Sequence, residues 1–200
     1  MSIGKLFVMS GPSGTGKGTI CKEVLKHRQN MVLSVSMTTR QPREGEVDGV
    51  SYFFATNEDF EKKIKNDGLL EYAKVFENYY GTPRQAVMDN LEKGNDVLLE
   101  IDVQGAMQVK EKYPDAIMVF IMPPSLAELK HRIVGRGTET EESIKRRFGE
   151  ALNEIHKADH YDYMIVNNVL ENAVSDFEKI VAAEHLKICE KEREFIGEFR

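Results

Sequence analysis

The sequence predicts a single α/β domain in which helices cover both faces of a parallel sheet. Three apolar runs support this fold class, at residues 5–10, 96–101 and 116–122. The second and third runs are almost continuously apolar, which is typical of strands that helices cover on both faces. Helical spacing follows each run, and this alternation of strand and helix is typical of βαβ units. The length of 200 residues suits one compact domain.

The helices are predicted from apolar residues that recur at intervals of three and four. The first helix begins after a glycine-rich turn and extends from Gly16 to about His27, with Ile20 and Val24 on one side. A capping-box pattern at residues 125–128 opens another helix. The remaining predicted elements are helices at 83–92 and 104–112, a strand at 162–166 and a final helix that carries Val174, Phe177 and Val181.

Two stretches interrupt this alternation and predict inserts on the core. Residues 34–82 are rich in tyrosine, arginine and glycine, and we expect small antiparallel strands around one helix near 58–65. This insert is interpreted as a binding subdomain. Residues 132–147 are polar, with Gly135 and Gly137 as hinges, and are interpreted as a lid. The core then consists of residues from about 1–33, 83–131 and 148–200.

Composition restricts the partners and the compartment. The chain has 27 basic and 33 acidic residues, and its net charge of −6 argues against general binding to nucleic acid or anionic membranes. No apolar run reaches the roughly 18 residues of a membrane-spanning helix, and residues 1–9 lack the pattern of a signal peptide. Cys21 and Cys189 are far apart and form no metal-ligand pattern. We therefore expect a cytoplasmic protein.

The turn after the first strand has the sequence GPSGTGKG and matches the phosphate-loop pattern G-x-x-x-x-G-K. Backbone N–H groups of such a loop surround phosphate oxygens, and glycine permits that close approach. Lys17 adds a positive charge at a helix N-terminus. A glycine turn with a stray surface lysine is the alternative, but the strand–loop–helix context favours a three-layer P-loop NTPase fold. The predicted ATP-binding residues of the loop are Gly11, Pro12, Ser13, Gly14, Thr15, Gly16, Lys17, Gly18 and Thr19.

One position departs from the phosphate-loop pattern. The pattern has Ser or Thr directly after the lysine, where this chain has Gly18 followed by Thr19. A hydroxyl ligand for Mg²⁺ would then come from Thr19, or the metal would be held mainly through water and phosphate oxygens. The sequence leaves both possibilities open.

The predicted binding insert contains a second group of functional candidates. Arg40 and Arg43 lie on either side of Pro42, and Tyr52 follows in the same polar stretch. Two guanidinium groups and a hydroxyl suit a phosphate monoester. Solvated loop arginines are the alternative, which the neighbouring phosphate loop makes less attractive.

Glu71 lies in the apolar sequence LLEYAKV, where an ionised carboxylate is costly unless a partner satisfies it. A carboxylate offers only acceptors, and guanine presents two parallel donors, N1–H and N2–H₂. Adenine would leave a buried Glu71 unpaired, so this residue would select guanine. The alternative places Glu71 on the exposed face of an alternating strand.

Five segments, taken together, resemble the guanylate kinases of the bacterial cytosolic type. They are GPSGTGKGT (11–19), SVSMTTRQPREGEVDGVSYFF (34–54), EYAKVFENYYGTPR (71–84), LLEIDVQGA (98–106) and GRGTETEESIKRR (135–147). They extend across nearly the whole chain in the order of the family. The resemblance implies transfer of the γ-phosphoryl group of Mg-ATP to GMP or dGMP, giving ADP and GDP or dGDP, by a monomer or homodimer in purine nucleotide metabolism.

The resemblance also implies roles for individual residues. The GMP phosphate would be held by Arg40, Arg43, Tyr52 and Tyr80, and the guanine base by Ser36, Glu71 and Thr82. Glu100 and Asp102 follow an apolar strand and would face the phosphates, with Asp102 near Mg²⁺. This position agrees with the rule that open α/β sheets bind ligands at the carboxyl ends of their strands. Asp102 would alternatively, or additionally, cap the next helix.

Four arginines in the predicted lid are the candidate catalytic cations. The resemblance assigns Arg136 and Arg147 to the ATP side and Arg146 to a bridge toward GMP, with Arg132 as a further ATP-binding residue. Cations that arrive on closure would neutralise the moving phosphoryl group and exclude water. The alternative is pairing with neighbouring glutamates on a surface helix.

Two other functions are weighed against this one. Another nucleoside-monophosphate kinase would share the phosphate loop and the lid, but gives no reason for Glu71 beside Tyr80 and Thr82. A non-catalytic module resembling guanylate kinases would keep the acceptor arginines. Such modules typically lose the phosphate-loop lysine, whereas Lys17 is present here.

Overall fold

A computed structural model describes residues 3–134 and 141–188 together with Arg193, Gly197 and Phe199. The strands are β1 (Leu6–Ser10), β2 (Met31–Leu33), β3 (Met37–Thr38), β4 (Phe53–Phe54), β5 (Leu69–Val75), β6 (Asn78–Pro83), β7 (Asp96–Glu100), β8 (Ile117–Met122) and β9 (Tyr163–Val166). The helices are α1 (Lys17–His27), α2 (Asn57–Lys65), α3 (Arg84–Glu92), α4 (Val103–Lys112), α5 (Leu126–Val134), α6 (Glu141–Ile155) and α7 (Leu170–His185), with a 3₁₀ turn at Ala158–His160.

A parallel five-stranded sheet with the order β2-β7-β1-β8-β9 forms the centre of the fold. Strand β1 shows why its sequence is apolar throughout, because successive side chains point to opposite faces. Phe7 and Met9 pack in a cluster with residues of α1 and α7. Leu6 and Val8 pack in a second cluster with residues of α3 and α4. Helices therefore cover both faces of the sheet, which confirms the predicted α/β fold class.

Most predicted core elements begin and end within one or two residues of the observed ones. The strand predicted at 162–166 is observed as Tyr163–Val166, and the helix predicted at 104–112 is Val103–Lys112. The capping pattern at the start of α5 is also present, since Ser125 Oγ accepts a hydrogen bond from the Glu128 backbone N–H at 3.1 Å. Strand β2 was not predicted, because three residues at a sheet edge are too few to show a period.

The predicted binding insert contains a second, separate sheet of four strands with the order β4-β3-β6-β5. The pairs β3–β6 and β5–β6 are antiparallel as expected, but β3–β4 is parallel. Residues 39–52 return the chain to the end of the sheet at which β3 starts, so that the Phe53 N–H donates to the Ser36 carbonyl. Alternation along a strand predicts a strand but not the direction of its neighbour.

The part of the predicted lid that is described consists of the end of α5 and the first half of α6. The hinges Gly135 and Gly137 and the candidate catalytic residue Arg136 lie outside the described residues. Cys189 lies outside them as well, whereas Cys21 is buried in the core as expected. None of the described helices is long and apolar enough to cross a lipid bilayer.

Candidate functional site

The glycine-rich loop lies between β1 and α1, at the carboxyl end of the central strand. Gly11 has a φ of +140°, and a Cβ atom placed on it would lie 2.4 Å from the carbonyl oxygen of Ile121. Thr15 is fully buried, and its hydroxyl donates to the Pro12 carbonyl at 2.8 Å, within the loop itself. The loop is therefore held in shape both by its glycines and by its own hydrogen bonds.

Lys17 lies across this loop. Its ammonium group donates to the carbonyl oxygens of Gly11 and Pro12 at 2.5 and 3.1 Å. Burial lowers the pKa of Lys17, and the charges of Glu100, Glu154 and Asp102 oppose that effect. The lysine thus concentrates a positive charge at the start of α1, where loop N–H groups favour an anion.

A cavity of about 590 Å³ opens beside the loop and brings loop residues together with the ends of other elements. Its lining includes Thr19, Lys22, Glu100, Asp102 and Glu154. The sequence predicted Thr19, Glu100 and Asp102 but not the other two. Burial raises the pKa of Glu154, which also interacts with Lys17 and Asp102. Glu154 is contributed by α6, so only the folded chain reveals it.

Asp102 is the N-cap of α4, because its Oδ1 accepts a hydrogen bond from the Gly105 N–H at 2.7 Å. It lines the cavity as well, so the capping role and a ligand-facing position coexist. A Cβ atom on Gly18 would lie 3.1 Å from Glu100 Oε1, so a side chain there would contact this carboxylate. Because position 18 is glycine instead of Ser or Thr, Thr19 is the first residue after Lys17 that brings a hydroxyl group to the cavity wall.

The oxygen donors around this cavity fit a magnesium ion. Mg²⁺ is usually held by one or two carboxylates together with water and phosphate oxygens. Thr19 and Asp102 both line the cavity and supply a hydroxyl and a carboxylate. Among the described residues, no cluster of three acidic, histidine or cysteine side chains is arranged to hold a metal ion on its own. A bound phosphate chain would have to complete the coordination.

Arg40 is held by Glu46, a residue that the sequence did not suggest. Its two terminal nitrogens donate to the two carboxylate oxygens at 3.0 and 2.8 Å. The same carboxylate accepts the backbone N–H of Arg43 at 2.7 Å. These interactions raise the pKa of Arg40 and lower that of Glu46. The guanidinium group of Arg40 is therefore held in one orientation and stays positively charged.

The two candidate tyrosines of the insert lie around Arg40. Its guanidinium carbon lies 5.4 Å from the centre of the Tyr52 ring, and the Tyr52 and Tyr80 rings are 6.1 Å apart. Arg43 is exposed, and Ser36 is partly buried beside the start of β3. The structure thus brings Arg40, Tyr52 and Tyr80 into one group next to Arg43.

Glu71 is 7% exposed, so the alternative of an exposed strand face is excluded. Thr82, its register partner across the β5–β6 pair, donates its hydroxyl to Glu71 Oε1 at 2.6 Å. Burial raises the pKa of Glu71 to about 7, and the charge of Asp102 adds to this effect. A Cβ atom on Gly105 would lie 3.0 Å from Glu71 Oε2 and 3.5 Å from Asp102 Oδ1. Glycine at this position therefore lets the two carboxylates approach each other.

The described lid arginines have different partners. Arg147 reaches the phosphate loop, where its Nη2 donates to Ser13 Oγ at 2.7 Å. Arg146 is largely exposed, with its Nε 3.9 Å from Glu150 Oε1. Arg132 donates to Glu128 within α5 at 2.8 Å. Pairing with a glutamate of the lid helix, the alternative raised by the sequence, thus occurs for Arg146, whereas Arg132 pairs with Glu128, which the sequence did not suggest.

Asn167 is a further residue that the sequence did not suggest. It directly follows β9, and its side-chain amide donates to the carbonyl of Thr15 in the phosphate loop at 2.7 Å. The backbone carbonyl of Asn167 accepts a hydrogen bond from Nη1 of Arg132 at 3.3 Å. The rule that ligand sites gather at the carboxyl ends of parallel strands is the signal that points to this residue.

The parallel sheet, the glycine-rich loop with its lysine and the adjoining cavity define a P-loop nucleotide-binding protein. The sequence model of the guanylate kinase family matches residues 3–184. The guanylate kinase of Clostridium tetani is 55% identical over 188 residues, which is 94% of this chain and 90% of that protein. The guanylate kinase of Clostridioides difficile is 52% identical over 197 residues, covering 98% and 96% of the two chains.

A solved structure agrees with these relatives. The crystal structure of guanylate kinase from Anaplasma phagocytophilum superposes with a TM-score of 0.75 at 36% identity, covering 98% of this chain and 94% of that one. The chain belongs to the guanylate kinase family, and it is an enzyme of that family, an ATP:GMP phosphotransferase. The resemblance noted in the sequence is confirmed.

Proposed function

We propose that the chain transfers the γ-phosphoryl group of Mg-ATP in line to the phosphate of GMP or dGMP, giving ADP and GDP or dGDP. The observation that carries the residue-level proposal is the buried carboxylate of Glu71, which receives a hydrogen bond from Thr82 and faces Asp102. Because guanine offers two adjacent donors, it is the purine base that such a carboxylate pairs with best. Ser36 completes the base site.

The phosphate of GMP would be held by Arg40, Arg43, Tyr52 and Tyr80. Support comes from Arg40, which Glu46 holds in place through both terminal nitrogens, and from the tyrosine rings grouped around it. Guanidinium groups carry several N–H donors in a fixed plane, so the donors of Arg40 and Arg43 that remain bind phosphate with better defined geometry than ammonium groups would. This arrangement would fix the acceptor oxygen while leaving it free to attack.

The donor nucleotide would occupy the loop of residues 11–19. Loop N–H groups and Lys17 would hold the phosphates, with Lys17 leaving the carbonyls of Gly11 and Pro12 to follow the transferred group. Thr19 and Asp102 would hold Mg²⁺, in part through water, and Glu100 would face the phosphates from the same wall. When bound, Mg²⁺ neutralises charge on the phosphate oxygens.

The lid arginines Arg132, Arg136, Arg146 and Arg147 would complete the site on closure. Arg147 already contacts Ser13 of the loop. No general base is needed, because the acceptor phosphate is an anion at neutral pH. Catalysis then consists mainly of alignment and of neutralising charge in the transition state.

The partners proposed for the chain are small nucleotides, not nucleic acid or membranes. The net charge of −6 supports this proposal, since a polyanion would be repelled over most of the surface. We place the protein in the cytoplasm, as a monomer or homodimer. The insert at about 34–82 would close over GMP and the lid at about 132–147 over ATP.

The experiment is ADP release by the purified protein with Mg-ATP and GMP, dGMP, AMP, UMP or CMP, each in a separate reaction. Turnover with GMP and dGMP, and a rate near the acceptor-free background with the others, is the expected result. Turnover with AMP would refute the proposed base recognition. ATP hydrolysis that does not depend on any acceptor would refute the transfer reaction.

A further inference from the structure

We infer that Asn167 is a positioning residue for the donor nucleotide, because its side-chain amide holds the Thr15–Gly16 peptide in the orientation that binds phosphate. The inference rests on the proposed function to the extent that ATP occupies the phosphate loop. Asn167 itself does not need to touch the nucleotide for this role.

Asn167 is well placed to hold another part of the chain. It is 7% exposed, and its backbone N–H donates to the Met122 carbonyl at the end of β8 at 2.9 Å. That bond continues the ladder between β8 and β9 by one residue. The side chain therefore projects from the edge of the rigid sheet, and its Nδ2 donates to the Thr15 carbonyl at 2.7 Å. The two residues are 152 positions apart in the sequence.

The hydrogen bond acts on the loop through the geometry of the peptide group. A trans peptide is planar, and its C=O and N–H bonds point in opposite directions. No cis peptide bond occurs among the described residues. A loop that binds phosphate must turn its N–H groups toward the anion, so its carbonyls face the protein and need donors there. Asn167 supplies that donor for Thr15, and the opposite end of the same peptide is the N–H of Gly16.

Gly16 shows how closely Asn167 approaches the loop. Gly16 lines the cavity and has a φ of +88°, in the left-handed region that favours glycine. A Cβ atom placed on it would lie 2.5 Å from Asn167 Nδ2. Two independent features, the hydrogen bond and the absence of a side chain at position 16, therefore adapt the loop to this asparagine.

The carbonyls of Gly11, Pro12 and Gly16 have partners within the loop or its helix. Lys17 donates to the carbonyls of Gly11 and Pro12, and the Thr15 hydroxyl also donates to Pro12. The bond from Asn167 differs because it ties the loop to the far edge of the sheet. Without it, the Thr15–Gly16 peptide would rotate toward water and take the Gly16 N–H away from the phosphates.

The test uses two substitutions in the full-length chain, Asn167→Leu and Asn167→Ala. Leucine has nearly the shape of asparagine but neither its donor nor its acceptor, so it removes the hydrogen bond without leaving a cavity. Alanine removes the bond and the bulk. The matched control is Asn90→Ala, since Asn90 Nδ2 donates to the Ala86 carbonyl at 2.8 Å within α3, away from the loop.

Three quantities are measured for each variant: the Kd of Mg-ADP, the Kd of GMP in the absence of the other nucleotide, and the thermal midpoint. Both Asn167 variants are expected to weaken Mg-ADP binding about tenfold, the effect of one unsatisfied carbonyl. The Kd of GMP should change less than about twofold on the same reasoning. Asn90→Ala should lower the thermal midpoint and leave both affinities unchanged.

Unchanged Mg-ADP affinity in the two Asn167 variants would overturn the inference. A parallel loss of ADP and GMP affinity would also overturn it, because that result indicates a purely structural role. So would failure of both variants to fold. Because Mg-ADP binding is measured without any acceptor, the inference can hold even if the wild-type chain fails to phosphorylate GMP, and the two failures are distinguishable.

Discussion

Thr82 donates its hydroxyl to Oε1 of Glu71 at 2.6 Å, from the position directly opposite on the neighbouring strand. The bond uses one lone pair of the carboxylate and leaves Oε2 directed toward Gly105, at the start of α4. A nearly buried carboxylate with so few neutral donors is poorly solvated, which is why its pKa rises to about 7. A ligand that brings two more hydrogen-bond donors would therefore stabilise the ionised form of this carboxylate strongly.

Glu71→Gln should weaken selection for guanine. The amide keeps one acceptor but presents a donor where a second acceptor stood, so guanine loses a charge-assisted hydrogen bond worth about 1.5–3 kcal/mol. We expect the KM for GMP to rise by roughly 10- to 100-fold, with the KM for ATP nearly unchanged. Steady-state kinetics with Glu77→Gln, an exposed glutamate in the β5–β6 turn, provide the control. Equal KM values for GMP in wild type and Glu71→Gln would contradict the proposed base recognition.

The affinity for GMP should depend on pH through Glu71. The proposed base recognition needs the ionised carboxylate, and a pKa of about 7 means that Glu71 gains a proton as the pH falls below neutrality. The KM for GMP should therefore rise by up to about tenfold per pH unit below pH 7 and level off above pH 8. The Glu71→Gln variant should keep only the dependence that the phosphate of GMP contributes through its own pKa of about 6. If the KM for GMP of the wild-type protein is constant between pH 5.5 and 8, Glu71 does not control the affinity for GMP in this way.

Glu71 should reduce the stability of the fold at neutral and alkaline pH. Its pKa rises from 4.5 to about 7 on folding. Its contribution to the free energy of unfolding is therefore most favourable below pH 4.5 and is lost as the pH rises through 7. The upper bound of this penalty is about 3 kcal/mol. Glu71→Gln should thus unfold at a higher temperature than wild type at pH 8, with the difference shrinking toward pH 5. A difference that is constant with pH would exclude this cause.

The sequence was most informative where the structure depends on short spacings. The phosphate loop of residues 11–18 is a local pattern, and it directly follows the strand predicted for it. The clusters on both faces of the main sheet follow equally from continuous apolar runs such as 116–122. These features could be predicted because each depends only on residues that are adjacent in the chain.

Features that depend on distant pairs could not be predicted in this way. The alternation around Glu71 allows either face of β5 to be buried, and only packing against α4 decides between them. The donor to the Thr15 carbonyl is Asn167, which no spacing connects to the loop. Glu46 is near Arg40 in sequence, yet several carboxylates in that loop were equally available. Partner choice is a tertiary property in all three cases.

Glu46→Gln should loosen Arg40, the arginine proposed to bind the phosphate of GMP. Glu46 holds Arg40 through two hydrogen bonds and also accepts the backbone N–H of Arg43. Without the negative charge of Glu46, the side chain of Arg40 samples more rotamers. Ordering it then costs conformational entropy when phosphate binds, which weakens the binding of GMP. We expect the KM for GMP to rise by roughly 5- to 10-fold with a smaller change in kcat. Glu44→Gln, exposed in the same loop, is the matched control. A lower KM for GMP would instead identify Glu46 as a competitor of the phosphate.

Lys17→Met should affect turnover far more than acceptor binding. Lys17 contacts the loop carbonyls of Gly11 and Pro12 and lines the cavity proposed for ATP, which does not include Arg40. Its charge is most valuable when negative charge moves toward the acceptor, so its loss should lower kcat by about 10²- to 10³-fold. The KM for GMP should change only a few-fold. Lys26→Met, which removes an exposed lysine from the same helix, should leave both constants intact. Undiminished turnover by Lys17→Met would show that phosphoryl transfer here does not depend on the loop lysine.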